Sequence, residues 1–124
     1  MGEKKKRPKV TKGETYKVVT GCGNIYITPN RDNDDNLVEV FATLGKAGGC
    51  AHCQLEAITR SVSLGLKYGI PVSEYISELK NLRCPSTSLD EGRLVLSCPD
   101  AIAGVLEDAC RNNNTNQVSA PKPV

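Results

Sequence analysis

The sequence predicts an α+β fold, a small three-stranded antiparallel sheet followed by about three helices packed on one face. Three observations predict it. Short β-branched segments joined by turn residues fill residues 15–44. Segments with apolar residues at helical spacing fill most of residues 50–111. The strands come first and the helices after, so no strand–helix–strand alternation calls for a parallel sheet. Hydrophobic residues make up 39% of the 124-residue chain and aromatics only 4%, with no Trp and one Phe. The core must therefore be Leu, Ile, Val and Ala, and a core of that size gains from a further cross-link.

Residues 1–13 read as a disordered basic arm. They carry six Lys/Arg against one Glu, a charge of +5, while the remaining residues carry ten Lys/Arg against thirteen Asp/Glu, a charge of −3. Such an arm can neutralise nucleic-acid phosphates. No aromatic interleaves its charges, so the favoured reading is a solubilising tail. No apolar stretch follows the arm, and no run approaches the ~20 residues of a membrane helix. Met1-Gly2 opens a myristoylation motif that Lys6 then fails to complete. The expectation is a cytosolic chain with no membrane partner.

Thr15–Thr20 reads as the first strand and Asn24–Pro29 as the second, with Gly21-Cys22-Gly23 as the bend between them. Asn30–Asn36 is turn chemistry. Its Asp32, Asp34 and Asp35 lack the Gly and Glu of a calcium loop, so they read as a solvated turn. Leu37–Leu44 is the third strand. Gly45-Lys46-Ala47-Gly48-Gly49 opens a helix over about 50–68, with Leu55, Ile58, Val62 and Leu66 as its stripe and Gly69 past its end. Pro71 starts a shorter helix through Lys80, with Ile76 and Leu79 facing in. Residues 81–96 read as mostly loop, with a short strand near Arg93–Leu96. Ser97-Cys98-Pro99-Asp100 is a helix start, with Ser97 as cap and Asp100 at the capping-box position. Ile102, Val105, Leu106 and Ala109 form that helix's buried face. Residues 112–124 read as a flexible polar tail.

The chemistry lies in six cysteines. Cys22, Cys50, Cys84 and Cys98 each stand beside Gly or Pro, at a bend or a helix start, where backbone amides favour thiolate. Four thiolates suit a structural Zn²⁺ site. Cys50 and Cys53 have Cys-x2-Cys spacing, which makes Cys53 a reserve ligand. Cys110, inside the last helix, reads as a small buried hydrophobe. His52, the single histidine, reads as a surface residue. Lys46, Gly48 and Gly49 resemble an anion cradle at a helix N-terminus, although no Gly-Lys-[Ser/Thr] closes it. The bland reading of that loop is a strand-to-helix turn. No Ser/His/Asp or Cys/His catalytic set stands out.

These residues carry a resemblance. Thr20–Thr28, Glu39-Val40-Phe41, Leu44–Cys50, Glu56–Leu66, Leu79–Pro85 and Ser97–Ala103 look like the TSCPD domain, in consistent order over about 15–107. That domain occurs at the C-terminus of vitamin B12-dependent (class II) ribonucleotide reductases and as small free-standing proteins. Leu96 stands where the name motif has Thr. Cys22, Cys50, Cys84 and Cys98 match the family's cysteines, so the resemblance favours them over the Cys50/Cys53 pair. It implies a metal-binding domain over 14–111 and a link to deoxyribonucleotide supply for DNA synthesis, with a ribonucleotide reductase or another protein as partner. It does not imply reductase activity, which needs a barrel and a cobalamin site that 124 residues cannot hold. A weaker resemblance is to the NifU-like iron–sulfur scaffold, in which Cys22, Cys50 and Cys98 occupy the three cysteine places. There a carboxylate stands near the first Cys, and here Gly23-Asn24 does. The expected function is an accessory zinc module. The alternatives are an iron–sulfur or thiol redox scaffold, and a nucleotide or nucleic-acid binder using the arm and the Gly45–Gly49 loop.

Overall fold

A computed structural model describes residues 2–45 and 49–112. The α+β order is as expected. Strands β1 (Lys12–Gly13), β2 (Tyr16–Thr20), β3 (Gly23–Arg31) and β4 (Leu37–Leu44) form one sheet. Helices α1 (Gly49–Lys67) and α2 (Val72–Leu79) follow, then a hairpin of β5 (Ser88–Asp90) and β6 (Arg93–Val95), then α3 (Cys98–Asn112).

The sheet has four strands where the sequence suggests three, and Pro29 shows why. All the pairings are antiparallel to the central strand β3. β4 takes one edge of β3. On the other edge β1 pairs with Asn30 and Arg31, and β2 resumes at Ile27. Pro29 has no amide to donate, and the ladder breaks opposite it. β1 and β2 are thus one edge strand in two pieces.

Alternation sorts the two faces. Ile25 and Ile27 of β3 and Val40, Ala42 and Leu44 of β4 point inward, onto Leu55, Val62 and Leu66 of α1 and Ile102, Val105 and Leu106 of α3. The helices cover this one face, as expected. α1 also protects the free edge of β4, since the Ser63 hydroxyl accepts from the Val40 amide (2.9 Å) and donates to its carbonyl (3.2 Å). The end of α1 fits the glycine rule. Gly69 has φ +94°, its amide bonds Leu66 O (3.1 Å), and the Ile70 amide bonds Gly65 O (3.0 Å).

The structure adds to one expectation and corrects another. Residues 81–96 are mostly loop, as expected, with the short strand at Arg93–Val95 (β6), and the structure adds a partner for it at Ser88–Asp90 (β5). Glu91 (φ 50°) and Gly92 (φ +84°) make a two-residue left-handed turn that closes the β5–β6 hairpin. The arm over 1–13, read as disordered, is in part fastened. The Lys5 amide bonds Lys67 O (2.8 Å), and β1 lies on β3. Between these points the Arg7 guanidinium forks onto Glu39, with Nε to Oε1 at 2.9 Å and Nη2 to Oε2 at 3.0 Å. Glu39 is on the outer sheet face yet only 2% exposed. Thr11 Oγ1 (3.2 Å) and Asn30 Nδ2 (2.9 Å) also donate to it. A carboxylate placed there needs such partners, and the arm supplies two of them. The tail expected over 112–124 lies, after Asn112, outside the described residues.

Candidate metal centre

The cysteines gather at one end of the sheet because of how three connections leave it. Gly21-Cys22 is the two-residue tip of the β2–β3 hairpin. The Thr20 hydroxyl braces the tip, donating to Gly23 O (2.7 Å) and accepting from the Cys22 amide (3.2 Å). The β5–β6 hairpin is tied to the edge of β2, where the Val19 amide bonds Asp90 (3.2 Å) and Ser88 bonds Val19 O (2.8 Å). This lays the Cys84–Ser86 loop against the hairpin tip. A Cβ on Gly21 would overlap the Ser86 carbonyl, so only glycine permits the approach.

Cys98 is the first residue of α3. Ser97 Oγ accepts from the Asp100 amide (3.0 Å) and donates to Leu82 O (2.7 Å), so the expected cap is present. Asp100 departs from a capping box. Its carboxylate accepts from Leu96 N (3.0 Å) and Asn81 N (2.8 Å), which binds the segments before α3 and after α2 to the helix start. The Cys98 thiol is half-buried and 3.9 Å from Thr20 Oγ1. Burial pushes its pKa up, the Thr20 hydroxyl opposes that, and the nearby thiols of Cys22 and Cys84 push it up further. In the Cys84 loop the Ser86 amide lies 3.4 Å from Cys84 Sγ, and the thiol lies 3.5 Å from the Ser86 carbonyl.

Cys98 thus lies near both Cys22 and Cys84. Cys50 is exposed at the second residue of α1. It belongs to the same end, since β4 leaves the sheet where Leu44 pairs with Ile25 and Gly45 N bonds Asn24 O (2.9 Å), just past the Cys22 tip. Cys53 is exposed one turn later. All six thiols are free. Among the described residues, no group of three or more His, Cys, Asp and Glu side chains is drawn tightly enough to hold a metal ion. Cys110 is half-buried on α3, its thiol pushed up chiefly by burial. His52 is not a plain surface residue: it is half-buried, and its Nδ1 is buried without a hydrogen-bond partner. Of the anion cradle, Lys46 and Gly48 lie outside the described residues, and Gly49 opens α1. Asp32 caps its own turn, accepting from Asp34 N (2.9 Å) and Asn36 N (3.0 Å).

Sequence reasoning missed Ser86, Asp100's second role and the closeness required at Gly21. Gly-Cys-Gly signalled a tight bend, but nothing local to Ser86 marks it. A charged cleft between β2, the β5–β6 hairpin and α3 is lined by no cysteine. Its Lys80 pairs with Glu107 (2.9 Å) and its Arg93 with Asp108 (3.8 Å).

The family profile of the TSCPD domain matches residues 2–110. A vitamin B12-dependent ribonucleotide reductase of Streptantibioticus cattleyicolor is 34% identical over 88 residues, covering 71% of this chain and 15% of that protein. Enzymes of the same name match from Streptomyces clavuligerus (36% over 80 residues, 64% of this chain, 8% of that protein) and Bradyrhizobium diazoefficiens (36% over 76 residues, 61% and 6%). The chain thus spans a small fraction of these relatives. No solved structure gives a significant match. The NifU-like resemblance gains no support from these matches.

Proposed function

This chain belongs to the TSCPD domain family, and on that premise we propose that it is an accessory zinc-binding module working with, or derived from, a vitamin B12-dependent ribonucleotide reductase, in the supply of deoxyribonucleotides. Cys22, Cys84 and Cys98 hold the ion with Cys50 as fourth ligand, and Cys53 is the reserve. One observation carries this reading: Cys98, at the start of α3, lies within electrostatic reach of both Cys22 and Cys84. Three soft donors on a hairpin tip, a loop and a helix N-terminus suit Zn²⁺. Bound zinc supplies a cross-link and part of the folding free energy. The chain's own residues prepare that place. Gly21 allows the hairpin tip to meet the Cys84 loop, the Ser86 amide contacts Cys84 Sγ, and Ser97 and Asp100 fix the helix that carries Cys98.

Metal analysis and an absorbance spectrum of anaerobically purified protein test the reading. One zinc per chain and no colour are expected, with zinc lost in Cys98→Ser and retained in Cys110→Ser. Gly21→Ala should weaken binding by forcing the tip off Ser86. A metal-free protein, or full zinc in the Cys22→Ser, Cys98→Ser double variant, defeats the zinc site, and a brown protein replaces it with a cluster. The reductase link is tested separately, by co-sedimentation with a purified B12-dependent enzyme; independent migration removes that half.

A further inference from the structure

We propose that the outer face of the sheet, with the basic arm laid across it, binds single-stranded nucleic acid. The helices leave this face uncovered. On it Tyr26 (36% exposed) and Phe41 (51% exposed) stand outward, while their neighbours Ile25, Ile27, Val40 and Ala42 point into the core. The register pairs Tyr26 with Thr43 and Thr28 with Phe41, so the two residues are diagonal neighbours whose backbone positions stand about 7 Å apart. They account for two of the chain's five aromatic residues. Exposing them costs the core and invites a partner with flat faces.

The charge sits beside the rings. The arm starts at the end of α1, crosses the face at Glu39, and joins the far edge as β1. Glu39 and Phe41 are consecutive outward residues of β4, about 7 Å apart. Arg7 is committed to Glu39. That leaves Lys4, Lys5, Lys6, Lys9 and Lys12 exposed along the strap, and Lys17 exposed on β2 directly opposite Tyr26. Glu3 and Glu14 are the strap's own carboxylates, so the surface stays strongly positive. The arm itself contains no aromatic, but the fold supplies two from strands distant in sequence.

Aromatic rings on an open sheet stack unpaired bases, and lysines beside them neutralise phosphates. A duplex hides its base faces from such a platform. A lipid surface would ask for a broad apolar face, whereas Thr28 and Thr43 flank these rings.

The test is fluorescence anisotropy of the full chain with a labelled oligothymidylate, within the span of about 4–16 nucleotides that one such site covers, over a series of salt concentrations. The logarithm of affinity should fall with the logarithm of salt by about 0.7 per phosphate contacted. Tyr26→Ala and Phe41→Ala should each weaken binding about tenfold without changing that slope. Lys4, Lys5, Lys6 and Lys9 changed to Gln should lower the slope by about 0.7 each. Phe41→Trp should keep the affinity and give the chain its single Trp, whose fluorescence is quenched as bases stack on it. Circular dichroism checks that each variant is folded, and both ring positions are exposed enough to tolerate change. Full affinity in the Tyr26→Ala, Phe41→Ala double variant overturns the proposal. So does equal affinity for a duplex of the same length, or binding to anionic vesicles with none to the oligonucleotide. None of these outcomes depends on zinc.

Discussion

The two ends of the sheet are closed by different means. At the end where β3 finishes, the chain supplies its own lock: Arg7 and Asn30 hold Glu39, and Arg31 donates to the Ala109 carbonyl near the end of α3. At the other end, β2 turns at Cys22, β4 departs toward Cys50, and α3 begins at Cys98. There the thiols stand among short-range braces from the Thr20 and Ser97 hydroxyls and the Asp100 carboxylate. A buried carboxylate with four donors is complete. Among the described residues, the thiols near one another at the other end, with Cys84 and Cys98 half-buried and Cys22 exposed, carry no such set of paired donors and acceptors. On the proposed zinc reading the two closures should be removable independently, one by acid and the other by a chelator.

The change with the largest effect should erase the distinction. Leu106 of α3 is fully buried in the core cluster that the sheet and the helices share. Leu106→Ala should cost about 2–5 kcal/mol. Urea unfolding should show a lowered midpoint, and native-state hydrogen exchange should speed up at both ends alike. Faster exchange at one end alone would mean that the ends do not share a core.

Next in size is the metal. Zinc at about a hundred times its dissociation constant should stabilise the protein by about 2.7 kcal/mol. A chelator should therefore lower the melting temperature of the wild type and leave that of Cys98→Ser unmoved. Exchange should quicken around Cys22, Cys84 and the start of α3, while the Glu39 end stays protected. Equal loss at both ends would break the comparison.

Glu39→Gln probes the opposite end, at about 1.5–3 kcal/mol near neutral pH, because it weakens charge-assisted bonds to a buried group. Burial alone would raise the Glu39 pKa, but the hydrogen bonds from Arg7 and Asn30 and the Arg7 charge outweigh it, and the net direction is down. A depressed carboxyl stabilises fully above its unfolded pKa of about 4.3, and the benefit is lost as pH falls through the lower folded value. The gap between wild type and Glu39→Gln should therefore be constant above about pH 5 and close in acid. A gap that persists at low pH would assign the effect to shape rather than charge.

Local rules made much of the core legible. Alternation in Leu37–Leu44, the stripe on α1, Gly69 and the Ser97 start all describe neighbours within a few residues. The arm's lock was not legible, because Arg7 and Glu39 are 32 positions apart and nothing near either marks the other. β1 was hidden because Lys12-Gly13 has no strand pattern and pairs only where Pro29 splits the edge. Of the hairpin, β6 was legible as the short strand near Arg93–Leu96, but β5 was hidden because Glu91 adopts a left-handed turn usually given to Asn or Gly. At the cysteine end, Gly and Pro neighbours pointed to four thiols, and of these Cys98 lies near Cys22 and Cys84. The contact that sets their approach, Gly21 on Ser86, joins residues 65 apart and is visible only in three dimensions.

The smallest expected effect separates helix capping from metal binding at the cysteine end. Ser97 Oγ holds the Asp100 amide and the Leu82 carbonyl, one bond for the helix and one for the strand of chain that leads to Cys84. Ser97→Ala should cost about 1 kcal/mol as a cap. Losing the Leu82 bond should also let the Cys84 loop drift from Cys98, so zinc affinity should fall along with stability. Ser97→Thr keeps the hydroxyl and should recover both. If Ser97→Ala lowers stability in the metal-free protein by the full amount yet leaves zinc affinity unchanged, the cap serves α3 alone. The cysteine end would then be positioned by Gly21, Ser86 and Asp100 without it.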